Sequence, residues 1–184
     1  MSDDQRLRTM MPAVETILSA MGEDVVREGL LDTPRRVSNM FLEMTAGLRS
    51  DPPVVVTFDS EGMDQMVTLL DLDYFSMCEH HCVPFHGRVH IGYLPKKRLA
   101  GLSKFARIVD HFARRPQIQE RLTADIADYI VKTVDPEGVI VVVEGAHLCM
   151  SMRGVRKLTH KTITSAIRGD VPKDEFFDIL KARV

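Results

Sequence analysis

Cys78-Glu79-His80-His81-Cys82-Val83-Pro84-Phe85 packs two thiols, two imidazoles and a carboxylate into five residues, just ahead of Gly87-Arg88-Val89-His90-Ile91-Gly92-Tyr93. In the second stretch Val89, Ile91 and Tyr93 alternate with Arg88, His90 and Gly92. That period of two predicts a half-buried antiparallel strand. On the other side, Val54, Val55, Val56 and Phe58, then Met66-Val67-Thr68-Leu69-Leu70, predict strand structure between Val54 and Met77 that runs toward the thiol motif. The fold is therefore read outward from a ligand-rich segment set between strands.

Zinc takes thiolate and imidazole ligands at about 2.0–2.3 Å, and a Cys-x-x-His pair at one turn brings two of them to one ion. A second pair lies downstream at His147-Leu148-Cys149. On a strand continuing from Val139 to Met150, residues 147 and 149 would share a face. Cys78, His81 and Cys149 then supply three ligands and leave a tetrahedral position open, the pattern of a catalytic rather than a closed site. Such a metal acidifies a bound water to a pKa of roughly 7. His80 and His147 are left over as candidates for proton transfer. Spacing alone leaves other readings open. The thiols could be buried or disulfide-bonded, the histidines could be core residues, and a closed structural zinc could be completed by Cys82 or His86. Cys82 itself is expected to be a small buried residue heading into an apolar segment.

Helical spacing marks Asp3 to Met21 through Leu7, Met10, Met11, Val14, Ile17, Leu18 and Met21. Thr33-Pro34 reads as an N-cap and first helical residue, leading a stripe of Val37, Met40, Phe41, Met44 and Leu48. Ser103 is expected to cap a helix carrying Phe105, Ile108, Val109 and Phe112. A further helix is predicted from Gln117 to Val134, an extended stretch from Met152 to about Ile167, and a closing helix from Pro172 to Ala182. The apolar run through Val143 suggests a central strand. The order predicts an α+β layout with mainly antiparallel pairing: residues 1–50 form an N-terminal helical segment and residues 51–184 carry the sheet. Four strands with helices on one face leave edges that self-association would remove.

The chain has 184 residues, 45% hydrophobic and 27% charged, with a formal net charge of −2. Such a balance gives no global attraction to nucleic acid or acidic membrane. No 18-residue apolar run and no basic-then-apolar leader occur, so neither a membrane span nor a secretory signal is expected. Three cysteines suit a reducing compartment, and the cytoplasm is the expected location. Neither Gly-rich phosphate-binding motif is present, so nucleotide phosphates would have to be held by side chains. Lys104 and Arg107 lie a turn apart on one helix, and Arg153 follows Cys149. Ammonium and guanidinium groups of this kind suit a polyphosphate, and Gln119-Glu120 offers an amide and a carboxylate that could read a base edge. Taken alone, each basic residue is better explained as a solvated surface group, and an exposed helix N-terminus explains Gln119-Glu120 equally well.

Several motifs in order, Cys78-Glu79-His80-His81, Gly101-Leu102-Ser103-Lys104 with Arg107, Arg115-Pro116-Gln117 through Gln119-Glu120-Arg121-Leu122-Thr123, and His147-x-Cys149-x-x-x-Arg153-Gly154, resemble GTP cyclohydrolase I. The resemblance runs from about Thr33 to Gly169. It implies a tunnelling fold, with an antiparallel four-stranded sheet, assembled into a toroidal homodecamer whose active sites lie between subunits. The implied reaction takes GTP and water to 7,8-dihydroneopterin triphosphate and formate, the entry step of folate and pterin synthesis. By position Cys78, His81 and Cys149 would bind Zn2+. Metal-activated water would attack C8 of the guanine, with His147 protonating N7 and His80 assisting proton transfer. Glu120, helped by Gln119, would read the guanine. Ser103 would lie near the ribose, and Lys104, Arg107, Arg153 and Arg36 would hold the triphosphate. Asn39, Cys82 and His160-Lys161-Thr162-Ile163-Thr164 depart from the family pattern; they are expected to tune phosphate affinity or packing and do not touch the proposed metal or proton-transfer residues. A related reductase of a deazaguanine nitrile, with a nucleophilic cysteine, is disfavoured by the paired ligands and the basic residues.

Overall fold

The computed structural model describes residues 1–182; residues 183 and 184, which end the expected segment 51–184, lie outside the described residues. The chain divides into two compact units, one of residues 1–46 and one beginning at Gly47. The first holds α1 (Asp3–Ala20) and α2 (Thr33–Met44). Ser2 and Gln5 close a capping box on α1, the Ser2 hydroxyl accepting from the Gln5 N–H and the Gln5 amide accepting from the Ser2 N–H. The start of α2 is one residue earlier than the Thr33 cap expected from sequence: Asp32 occupies the cap position and Pro34 lies in the first turn. The Asp32 side chain caps nothing. It pairs with Arg35 and Arg36 instead, and the Arg35 hydrogen bond, first among its causes, holds the Asp32 carboxyl below the usual range.

The second unit is built on a five-stranded sheet. Its strands are β2 (Val67–Cys78), β3 (Pro84–Leu94), β5 (Pro116–Gln117), β6 (Gly138–His147) and β7 (Thr162–Gly169), in the order β5-β2-β3-β6-β7. The expected antiparallel four-stranded sheet is present as β2-β3-β6-β7, and the two-residue β5 extends it by pairing parallel with Met77 and Cys78. A separate antiparallel ribbon joins β1 (Thr57–Asp59) to β4 (Arg98–Ala100). Of the strand expected from Val54 onward only this short piece forms before β2. Helices α3 (Leu102–Ala113) and α4 (Gln119–Val134) follow β4 and β5, a single helical turn α5 (Leu148–Ser151) follows β6, and α6 (Lys173–Ala182) closes the described chain.

Val139, Val141 and Val143 of β6 face one core with Val89, Ile91 and Tyr93 of β3 and with Ile108, Leu122, Ile126 and Ile130 of α3 and α4. Ile140 and Val142 face the other side, with Val171 and Phe176. Strand β6 is thus apolar on both faces because both are covered, as a central strand requires. The closing helix covers part of the face that sequence left bare, and its Phe176 reaches the backbone of Gly92, where a Cβ would lie 2.6 Å from the ring. On this strand His90, expected on a solvated face, is fully buried, its Nδ1 accepting from the Asp71 N–H (3.1 Å) and its Nε2 3.5 Å from the Glu144 carboxylate. Burial of side chains such as Ile126 and Ile130 contributes about 1.5–3 kcal/mol each relative to exposure.

Three further boundaries differ from the sequence reading. Gly101 rather than Ser103 occupies the N-cap of α3, and Ser103 sits within its first turn. Helix α4 starts at Gln119, because Pro116 and Gln117 are held in extended pairing with β2. The stretch expected to stay extended from Met152 forms strand only at Thr162.

Candidate active site

Strand β2 ends at Cys78, and the chain turns back into β3 within five residues. The turn is held by its own backbone: the Cys82 N–H donates to the Cys78 carbonyl (2.9 Å) and the Cys78 N–H to the Val83 carbonyl (2.9 Å). Cys82 adopts a left-handed φ of 53° and is exposed, not buried as its composition suggested. The turn is also tied to α4. Glu79 forms an ion pair with Arg121, and the Glu79 N–H donates to the Gln117 carbonyl (3.2 Å). Sequence assigns no role to Glu79 or Arg121, since only the fold brings residues 79 and 121 together.

Cys78, His81 and Cys149 converge: their ligand atoms all lie within 4.8 Å of one another. Cys78 Sγ is 3.6 Å from His81 Nδ1. A sulfur and a nitrogen on one tetrahedral ion would be about 3.5 Å apart. The donor set is therefore suited to a thiophilic divalent metal. The route to Cys149 differs from the one expected, because β6 ends at His147 and Cys149 lies in the α5 turn rather than on a continuing strand. All three cysteines are free thiols, so no disulfide competes. Neither candidate fourth ligand joins the group: His86 stacks on Phe75 (centroids 5.5 Å apart), and Cys82 is not among the clustered donors. Burial, and then the neighbouring Cys78 sulfur, push the Cys149 thiol up. Two sulfurs crowded in this way are relieved when a cation takes up their charge.

Beside the thiols is a cavity of about 150 Å³ lined by Cys78, His80, Phe85, Gln119, Glu120, His147 and Cys149, with Gln117 and Ile118. The His147 ring lies flat on Phe85 (4.8 Å, 4°), its cross-strand partner. Its Nδ1 is buried without a well-formed hydrogen bond. Burial, and next the His160 ring, push the His147 pKa down, while the Glu120 carboxylate and the Gly145 backbone oppose the fall. His80 is largely exposed, with its Nε2 3.9 Å from the Glu79 carboxylate. Larger hollows of about 460 and 320 Å³ occur elsewhere, but neither includes a cysteine of the cluster.

Gln119 and Glu120 open α4 and point different ways. Gln119 is buried, its Nε2–H group donating to the Val143 carbonyl (2.9 Å), the Thr162 carbonyl (3.1 Å) and the Thr164 hydroxyl (3.1 Å). Glu120 is exposed at the cavity rim. Ser103, Lys104 and Arg107 lie on α3, outside the lining of that cavity. Arg153 follows α5, close enough to Cys149 for its charge to favour the thiolate. Arg36 belongs to the other compact unit and is exposed.

The sequence matches the family model of GTP cyclohydrolase I over residues 10–179. It is 53% identical over 164 residues to GTP cyclohydrolase 1 of Halalkalibacterium halodurans, covering 88% of this chain and 87% of that protein. It is 53% identical over 165 residues to GTP cyclohydrolase 1 of Bacillus subtilis, covering 89% and 86%. Among solved structures, the apo archaeosine synthase QueF-Like matches with a TM-score of 0.48 at 21% identity, over 60% of this chain and 99% of that one. With a family match across most of its length and more than half of its aligned residues identical to these relatives, the chain belongs to the GTP cyclohydrolase I family.

Proposed function

We propose that this chain converts GTP and water to 7,8-dihydroneopterin triphosphate and formate, the first step of folate and pterin synthesis, at the cavity beside Cys78, His81 and Cys149. The observation that carries the reading is the convergence of those three donors on a pocket that also holds His80, Glu120 and His147. We take the ion to be Zn2+, from the two-sulfur, one-nitrogen donor set with a position left open. Bound there, it supplies Lewis-acid activation of water at neutral pH.

The chain's own residues divide the remaining work. His147, clamped flat on Phe85, delivers a proton to N7 of the guanine, which makes C8 electrophilic toward water. His80, at the exposed lip, relays protons between the pocket and solvent. Glu120 accepts hydrogen bonds from the N–H edge of the base. Gln119 has its amide nitrogen committed to β6 and β7, so it supports the pocket floor and offers only its oxygen. Lys104, Arg107, Arg153 and Arg36 hold the triphosphate and Ser103 the ribose.

A cavity of about 150 Å³ is small against the roughly 300–1,000 Å³ usual for ligand sites. It accommodates a base and leaves the triphosphate outside. We therefore place Ser103, Lys104 and Arg107 in the site of a neighbouring copy, within a toroidal homodecamer of tunnelling-fold subunits working in the cytoplasm. No described helix is long and apolar enough to cross a membrane.

Purified protein given GTP should release formate and a product that becomes a fluorescent pterin on oxidation, and light scattering should give a mass near ten chains. A monomer with full turnover would remove the shared-site reading. No formate from metal-replete protein would remove the activity.

A further inference from the structure

Two buried oxygens face each other across a gap that only glycine permits. Oε1 of Gln119 and the Tyr74 hydroxyl are both buried and without a hydrogen-bond partner. Both approach the same point over β6: a Cβ on Gly145 would lie 2.1 Å from Gln119 Oε1 and 2.7 Å from the Tyr74 oxygen. The orientation of the Gln119 amide is fixed by its other end, because two backbone carbonyls, of Val143 and Thr162, demand a donor there. Its oxygen must therefore accept. The Tyr74 phenol can donate, and burial pushes its pKa up, so it keeps its proton throughout the working range. Tyr74 also meets Phe85 edge-on (5.9 Å), and Phe85 carries the His147 ring. Three residues separate Tyr74 from Cys78 on β2, while Gln119 opens the helix whose next residue is Glu120.

We propose that Tyr74 is a positioning residue for the base-reading end of the site: its hydroxyl donates, directly or through one water, to Gln119 Oε1 and so fixes the first turn of α4 that presents Glu120. The strand that ends in Cys78 is thereby tied to the helix that reads the base, with Gly145 keeping the crossing point clear. The proposal rests on the assignment of Glu120 as the guanine reader.

The test compares GTP with inosine triphosphate, which lacks the 2-amino group, on metal-replete enzyme. Tyr74→Phe removes one oxygen and keeps the ring on Phe85. An acceptor left buried without a donor is expected to shift the pocket by about one factor of ten. Tyr74→Phe should raise the KM for GTP about tenfold with kcat changed less, and should shrink the preference for GTP over inosine triphosphate. Metal content and the melting curve should stay at the parent's. In a Gln119→Met background, which has no oxygen to accept, the same substitution should add nothing. The Tyr74 link is overturned if Glu120→Gln lowers the preference while Tyr74→Phe leaves it at the parent value, or if the Tyr74→Phe and Gln119→Met effects simply multiply. It is equally overturned if the loss tracks melting temperature or metal content. Should Glu120→Gln itself leave the preference unchanged, the base-reading assignment fails and the positioning role falls with it.

Discussion

At the residue scale, the site depends on three donors that come from two distant stretches of chain. Cys78 and His81 share one turn, so their convergence is local and was legible from the Cys-x-x-His spacing. Cys149 arrives from the far end of β6 and is held by the α5 turn. It reaches the cluster by a different route from the one the sequence pattern suggests, since the strand stops two residues earlier. Replacing Cys149 with serine leaves a poor ligand for a thiophilic metal. Cys149→Ser should therefore lose about a hundredfold or more in metal affinity and in formate release, while circular dichroism and the melting curve stay close to the parent's. Full turnover in that variant, with metal retained, would remove Cys149 from the ligand set. Gln119 teaches the opposite lesson. It was read as a partner of Glu120 in contacting the base, yet its amide nitrogen is consumed by β6 and β7, a non-local fact that no sequence window carries.

At the element scale, alternation identified β3, and unbroken β-branched residues identified β6 as central, because those patterns report which faces are covered. What escaped was where elements stop. Leu148, Cys149 and Met150 continue the apolar run of β6, and an apolar run reads alike as strand or helical turn. His90 escaped because its partners, the Asp71 N–H and the Glu144 carboxylate, come from the strands on either side, beyond the reach of a local pattern. On α3, His111 is buried with its Nδ1 3.3 Å from the Ser50 hydroxyl. Burial, and then Arg115, push its pKa down, with Asp51 opposing. The unfolded chain then takes up this proton first as the pH falls. Stability from this group is complete above the ordinary histidine pKa of about 6.5 and is lost as pH falls through it toward the depressed folded value. Urea unfolding between pH 7.5 and 5 should show stability dropping by no more than about 1.4 kcal/mol per pH unit from His111, and His111→Asn should flatten that part of the slope. An unchanged slope in His111→Asn would mean that other groups carry the acid sensitivity.

For the whole molecule, the single chain supplies a three-donor cluster that could hold a metal and a pocket sized for a base, while three of the residues proposed for ribose and phosphate lie on α3 outside that pocket. Such a division is what a site completed by a neighbouring copy requires. Motif order in the sequence names the candidate residues, and the structure brings Cys78, His80, Glu120, His147 and Cys149 around one cavity. Motif order could not reveal which parts one chain assembles alone, because that depends on how β2, β3 and α4 are brought together.

The claim on which all of this turns is that the Cys78, His81 and Cys149 cluster holds the catalytic metal. Its most direct test is to strip the protein with a chelator, restore Zn2+ in steps, and read bound metal and formate release from GTP on the same samples. Formate release should vanish on stripping and return in proportion to bound zinc, reaching its maximum at one ion per chain. Turnover that survives in metal-free protein, or that stays absent at full zinc occupancy, would contradict the account.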